Sequence, residues 1–213
     1  MSAARQPSQS PQPSQARQPA TAYAAIARRV SSRAALGAGA AWGFAEAMLF
    51  FIVPDVWLGF VALFAPRRML PTLAAITLGA ALGAVGLYLA SLAFSDVITS
   101  IIVALPGIVP SDLEQVRAEL ADQGAIAFLN GILVAQPVKL YIHASALDGI
   151  GLVDVVAFTL LNRIERMLVF GLVMAFIGWR GRSLITRWPY PAALLYVLAW
   201  IIFYAGFLIS RGA

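Results

Sequence analysis

The stretch Ala125–Ile150 reads AIAFLNGILVAQPVKLYIHASALDGI, with Gln136-Pro137-Val138-Lys139 at its centre. It is apolar enough for a membrane span and fails as one in the middle. Pro137 has no amide hydrogen and disfavours helix at Gln136, so one helix stops there. Lys139 follows two residues later, where a lipid-facing span does not tolerate an ammonium group. Each half is only about a dozen residues, roughly 18 Å of helix, against ~30 Å of hydrocarbon. Two half-helices meeting at a polar break predict a re-entrant hairpin over 125–150. Broken backbone at membrane depth persists only where protein or a water-filled cavity surrounds it.

The composition around this stretch is that of a membrane protein. Apolar residues make up 61% of the 213 residues and charged ones 12%, and the mean hydropathy is +0.82; soluble domains carry roughly 25% charged residues. The net charge of +5 comes from arginines that flank apolar runs. That pattern is positive-inside flanking, and it argues against a nucleic-acid partner. With no cysteine in the chain there is no disulfide framework, thiol nucleophile or thiolate metal site.

Upstream, residues 1–22 are rich in Pro, Gln and Ser and are expected to be a disordered cytoplasmic tail. Residues 23–34 read as a solvated juxtamembrane segment, with a short amphipathic helix as the alternative. The membrane domain is expected over 35–211. Its first part, 35–66, is interrupted by Glu46 and Pro54-Asp55. As one helix it is too long for a bilayer without steep tilt. A first re-entrant hairpin turning near Pro54 puts Arg28, Arg29, Arg33, Arg67 and Arg68 on one side, as the positive-inside rule asks.

Residues 70–94 have the length of a transmembrane helix, and Gly79, Gly83 and Gly86 mark a small-residue face for close packing. The loop 95–124 carries Asp96, Asp112, Glu114, Glu119 and Asp122 against Arg117 alone, which fits the outer side. Ser111 with Glu114 predicts a capping box opening an amphipathic helix. Beyond the second hairpin, 153–179 spans inward to Arg180, Arg182 and Arg187, and 190–209 spans back. The expected fold is therefore an all-α polytopic membrane protein, with two opposed re-entrant hairpins packed against about three full transmembrane helices. It is placed in the cell (plasma or inner) membrane with its N-terminus cytoplasmic. Trp179, Trp188 and Tyr190 are expected interface anchors.

Six ionisable groups fall at membrane depth: Glu46, Asp55, Lys139, Arg163, Glu165 and Arg166. Arg163 and Arg166, three apart, share a helix face that can look toward the hairpins. Charges at this depth are costly, need partners and mark function by default. The plain structural alternative is a set of ion pairs that pins the hairpins. Glu165 reads as a local counter-ion. His143, the only histidine, is a packing residue by default, and a lone histidine makes a histidine-based metal site improbable.

These residues carry a resemblance. Glu46, Ile52-Val53-Pro54-Asp55-Val56 and Leu63-Phe64-Ala65-Pro66-Arg67-Arg68 resemble the first hairpin of the DedA (VTT-domain, SNARE-associated-type) membrane proteins, especially the YqaA-like branch. Thr77–Gly83 with Tyr88 resembles the family's glycine-rich span. Pro137-Val138-Lys139, followed by Ala144, Ser145, Ala146 and Gly149, resembles the proline-basic-small signature of the second hairpin. Asn162-Arg163-Ile164-Glu165-Arg166 stands where that branch has a Gly-Arg-Gly-x-Arg run. The family often has two prolines at each tip; here Val53 precedes Pro54 and Gln136 precedes Pro137.

The resemblance covers roughly Gly43 to Trp179 and implies a transporter. In that reading Glu46 and Asp55 couple protons, Lys139, Arg163 and Arg166 bind substrate, and Pro54 and Pro137 form the hairpin tips. Family members include undecaprenyl-phosphate translocases and lipid scramblases. The implied partners are thus membrane lipids, an anionic lipid phosphate above all, together with protons, and a homo-oligomer is left open. The other class of function is a non-transporting membrane scaffold or assembly factor for envelope proteins. An enzyme ranks below both, because no nucleophile–base pair or metal cluster is legible. No cofactor and no metal are expected.

Overall fold

The computed structural model describes residues 14–130 and 137–210, with side chains described from residue 20 onward. Its regular elements are helices, and no strand occurs among the described residues. In chain order they are α1 (Ser14–Val30), α2 (Arg33–Met48), α3 (Asp55–Phe64) and α4 (Met69–Ala93), the last entered through a 3-10 turn at Pro66–Arg68. There follow α5 (Ser95–Val103), α6 (Pro110–Gln123) and a 3-10 stretch at Gly124–Leu129. The chain ends with α7 (Val138–Leu147), α8 (Leu152–Arg180), α9 (Arg182–Arg187) and α10 (Pro189–Ser210).

Among the described residues two segments are long and apolar enough to cross a membrane, Pro66–Ala93 and Pro189–Ser210. At 29 residues α8 is longer than either. It carries Asp154, Arg163, Glu165, Arg166 and Arg180, so its length alone suits a span. Leucines, isoleucines and phenylalanines of α4, α8 and α10 face outward, among them Leu78, Leu82, Leu172, Phe176, Ile202 and Phe203. So large an apolar surface needs a nonaqueous cover.

α2 and α4 lie side by side and run in the same direction. Gly43 backs onto the Ile76 carbonyl and Gly79 onto the Ala40 carbonyl, with no room for a Cβ at either site. Gly83 meets the Phe44 carbonyl and Ala47 in the same way. Small residues let the two backbones approach, which is how helices pack where burial from water supplies no drive.

α2 ends at Met48, and the chain then runs without helix from Leu49 to Pro54. This segment doubles back along α2, since the Trp42 indole Nε1 donates to the Ile52 carbonyl at 3.0 Å. α3 continues the return: Trp57 Nε1 donates to the Ala35 carbonyl at 3.1 Å, and the Phe64 carbonyl accepts from the Tyr23 hydroxyl at 3.0 Å. Pro54 heads α3, where its missing amide hydrogen costs nothing. α8 runs beside α3 in the same direction, with Gly171 against Leu58 and Met69, and Gly178 against the Leu63 carbonyl.

These directions sort the charges. Arg33, Arg67, Arg68, Arg180, Arg182 and Arg187 stand at or next to the helix ends gathered around Phe64. Arg28 and Arg29 join them through α1, whose Tyr23, Ile26 and Val30 pack with Phe64 and Ile185. The opposite end holds α5, α6 and the start of α8, with Asp96, Asp112, Glu114, Glu119, Asp122 and Asp154. There the Tyr88 hydroxyl donates to the Ile150 carbonyl at 2.8 Å, and Arg117 pairs with Asp148 at 2.7 Å.

Three expectations change. Residues 14–22 are helical as the first half of α1, and the juxtamembrane segment continues that helix, because the α1 side chains named above dock on α3 and α9. The capping box does not form at Ser111 and Glu114. Pro110 opens α6 instead, and Asp112 accepts from the Val109 amide at 3.0 Å. Glu165 does not pair with Arg166; it is exposed, on another face of α8. Gln136, at the expected second break, lies outside the described residues. Pro137, in extended conformation, is the N-cap of α7.

Candidate functional site

Five of the six ionisable groups expected at depth converge between the basic and acidic ends. Glu46 is near the end of α2 and Asp55 at the start of α3, on either side of the Leu49–Pro54 break. Lys139 is the second residue of α7, and Arg163 and Arg166 lie near the middle of α8. The Glu46 carboxylate lies against the Arg163 guanidinium through Oε2, and its Oε1 is 3.7 Å from Lys139 Nζ. Lys139 also donates to the Phe50 carbonyl at 3.0 Å. Arg166 Nη2 pairs with Asp55 Oδ2 at 3.2 Å.

The burial of the two arginines differs. Arg163 is 1% exposed, whereas the Arg166 side chain is 38% exposed. Arg163 Nε and Nη1 have no hydrogen-bond partner among the described residues, and neither does Arg166 Nε. A buried guanidinium with idle donors is expensive. Among the described residues Glu46 engages one edge of Arg163 and leaves Nε and Nη1 without acceptors.

All five groups line one cavity of about 310 Å³. Its remaining wall is apolar and rich in aromatic rings: Phe51 from the break, Phe170 from α8, and Trp200, Phe203, Tyr204 and Phe207 from α10. The loop Leu105–Ile108 closes another side. Three cationic and two anionic groups leave the cavity with a formal charge of +1. A ligand that fits carries negative charge with several acceptor oxygens at one end and an apolar body at the other. Among the described residues no group of three or more histidine, cysteine, aspartate or glutamate side chains could hold a metal.

Pro54 and Pro137, the two expected tips, each begin a helix at this cavity: Pro54 caps α3 one residue before Asp55, and Pro137 caps α7 two residues before Lys139. His143 is elsewhere. Its ring nitrogens lie 2.9 Å from Ser91 Oγ and 2.8 Å from Thr99 Oγ1, tying α7 to α4 and α5. Asn162 is also structural, donating to the Phe128 carbonyl at 2.7 Å.

The aromatic wall of α10 escaped the sequence reading, because a ring in an apolar span has no mark that separates a lining residue from a lipid-facing one. The signal that was available is Tyr204, a hydroxyl deep in an apolar helix that needs a partner. It accepts from the Val53 amide at 2.7 Å. Comparison of the chain with family models, with curated proteins and with solved structures gives no match.

Proposed function

We propose that this chain is a DedA-like transporter of the cell membrane that moves an anionic lipid phosphate between leaflets. The observation that carries the proposal is the buried Arg163, which lines a cavity with an aromatic wall and whose Nε and Nη1 have no hydrogen-bond partner among the described residues. A phosphate supplies the acceptor oxygens those donors lack, and the wall suits the adjoining chain. In this reading 35–66 and 125–150 are the opposed re-entrant hairpins, and α4, α8 and α10 are the full spans. The arginine end then faces the cytoplasm together with the N-terminus.

The chemistry follows from competition. Glu46 and an incoming phosphate both seek Arg163 and Lys139, and Asp55 and that phosphate both seek Arg166. Protonating Glu46 or Asp55 removes a competitor and raises the cavity's positive charge, so proton uptake favours anion binding. Deprotonation restores the internal pairs and expels the anion. Lys139, held by the Phe50 carbonyl, acts as a point charge, while the guanidinium groups give directional donors.

The test is a flip assay in proteoliposomes with a panel of prenyl phosphates, acidic phospholipids and zwitterionic phospholipids, with and without a pH gradient. Faster movement of an anionic lipid by the wild type, lost in Arg163→Ala, is the expected result. An equal, slow rate for every lipid, with capture of unassembled membrane proteins by the same preparation, supports the scaffold alternative instead.

A further inference from the structure

The last helix is built differently on its two halves. α10 is the most apolar long helix of the chain, yet only Pro189 and Tyr196 of its 22 residues are buried. Both lie in its first half, where the Tyr196 hydroxyl donates to the Val56 carbonyl at 2.7 Å and packs on Gly59. From Val197 to Ser210 no residue is buried. That half nevertheless supplies the cavity with four aromatic rings, Trp200, Phe203, Tyr204 and Phe207. Ring and hydroxyl contacts hold it to the rest of the wall, beginning with Trp200, which meets Phe170 of α8 edge-on with 5.9 Å between centroids. The Tyr204 hydroxyl oxygen accepts a hydrogen bond from the Val53 amide, and its ring meets Phe51 edge-on with 6.4 Å between centroids. Further along, Phe207 sits on Gly107, whose φ of +80° and lack of a Cβ let the ring approach the loop.

Segments with few buried contacts open at the lowest free energy. An arginine with idle donors lies behind this one, and hydrocarbon would lie in front of it.

We propose that the second half of α10 is a side gate. It pivots about Tyr196, parts Trp200 from Phe170, releases Tyr204 from Val53 and Phe207 from Gly107, and admits an amphiphile from the bilayer head-first to Arg163. This rests on the reading of the cavity as a lipid-anion site and adds the route by which the lipid enters. Entry through the side keeps the chain in hydrocarbon throughout, so the apolar part never crosses a polar path. A water-soluble anion needs no such opening.

Because the chain contains no cysteine, the gate can be locked selectively. The pair Phe51→Cys and Tyr204→Cys, joined by a reducible bifunctional thiol reagent, ties the second half of α10 to the break. The pair Val56→Cys and Tyr196→Cys ties the first half and serves as control. In proteoliposomes of zwitterionic lipid containing a fluorescent prenyl phosphate, joining the first pair should reduce flipping to the rate of protein-free vesicles. Reduction should restore it, and joining the control pair should leave the rate of that variant unchanged. Phe207→Ala, which removes the closing ring, should speed flipping several-fold at normal protein level.

Undiminished flipping by the locked 51–204 protein overturns the gate, as does slower flipping by Phe207→Ala. The site reading fails separately: Arg163→Ala would then flip the same lipid as well as the wild type. If locking stops flipping and Arg163→Ala does not, the gate stands and the anion site falls.

Discussion

Arg166 on α8 reaches Asp55, 111 residues earlier in the chain, at 3.2 Å. The carboxylate is buried and the guanidinium is not, so Arg166 is the cation of this pair that can move. Arg166→Ala should abolish transport and strand Asp55, at a cost on the order of 1–3 kcal/mol. Arg166→Lys should recover only part of the flux, because an ammonium lacks the planar two-donor grip. If the pair is only structural, Asp55→Asn with Arg166→Ala restores both melting temperature and flux. Recovery of the melting temperature alone is the expected result, measured by thermal denaturation in detergent beside the flip assay.

The packing of α2 on α4 predicts a sharp difference between glycines. Gly79→Ala drives a Cβ into the Ala40 carbonyl and must push the two helices apart; a loss of about 2–4 kcal/mol is expected from overpacking and lost contacts. At Gly37 a Cβ would meet nothing within 4 Å. Gly37→Ala should therefore be neutral or stabilise by about 0.5–1 kcal/mol through helix propensity. Unfolding in a mixed-detergent titration separates the two, and equal effects would remove the close approach as their explanation.

Sidedness follows from the charge asymmetry. In the cysteine-free chain, Arg68→Cys and Arg180→Cys should label from the cytoplasm with an impermeant maleimide. Glu119→Cys and Asp148→Cys should label only from outside. Asp148 pairs with Arg117 on α6, so opposite labelling of 119 and 148 would break the second hairpin and this packing together.

His143 tests the distinction between a buried polar residue and a functional one. It is fully buried and bridges Ser91 and Thr99, away from the cavity. His143→Ala should cost roughly 2–4 kcal/mol from the lost hydrogen bonds and the void left behind. Per folded molecule, the flip rate should stay at the wild-type value. A selective loss of flux without loss of stability would bring His143 into the transport path.

The helical character and the charged core were legible for a simple physical reason: an ion in an apolar run has no cheap explanation. Glu46, Asp55, Lys139, Arg163 and Arg166 stand out from sequence alone, and they meet at one cavity. Pairing was not legible, since it depends on how deep each turn of α8 sits beside α3. Glu165 was the nearer acid in sequence to Arg166, yet Asp55 is the partner because α3 lies against that face. The first half of α1 was missed for the opposite reason. That half belongs to the Pro-, Gln- and Ser-rich stretch 1–22, which argues for disorder, while the last turns of α1 dock on residues some 40 and 160 positions away, beyond any local pattern.

The sharpest prediction concerns Arg163. Its guanidinium is held on one edge by Glu46, and its Nε and Nη1 have no partner among the described residues. If its work is to bind the lipid phosphate, Arg163→Ala loses flux whatever happens to Glu46. Pairing it with Glu46→Gln should relieve the uncompensated carboxylate and restore protein level, with no return of transport. Glu46→Gln alone should keep lipid binding and reduce the response to a pH gradient to the share carried by Asp55, because an amide competes weakly for the guanidinium and takes up no proton. Arg163→Lys should fall between, since one ammonium cannot satisfy the several oxygens two idle donors address. The measurements are lipid-phosphate binding by the purified protein and flipping at two external pH values. Full flux in the Glu46→Gln, Arg163→Ala double variant would reduce the whole cluster to a structural clasp.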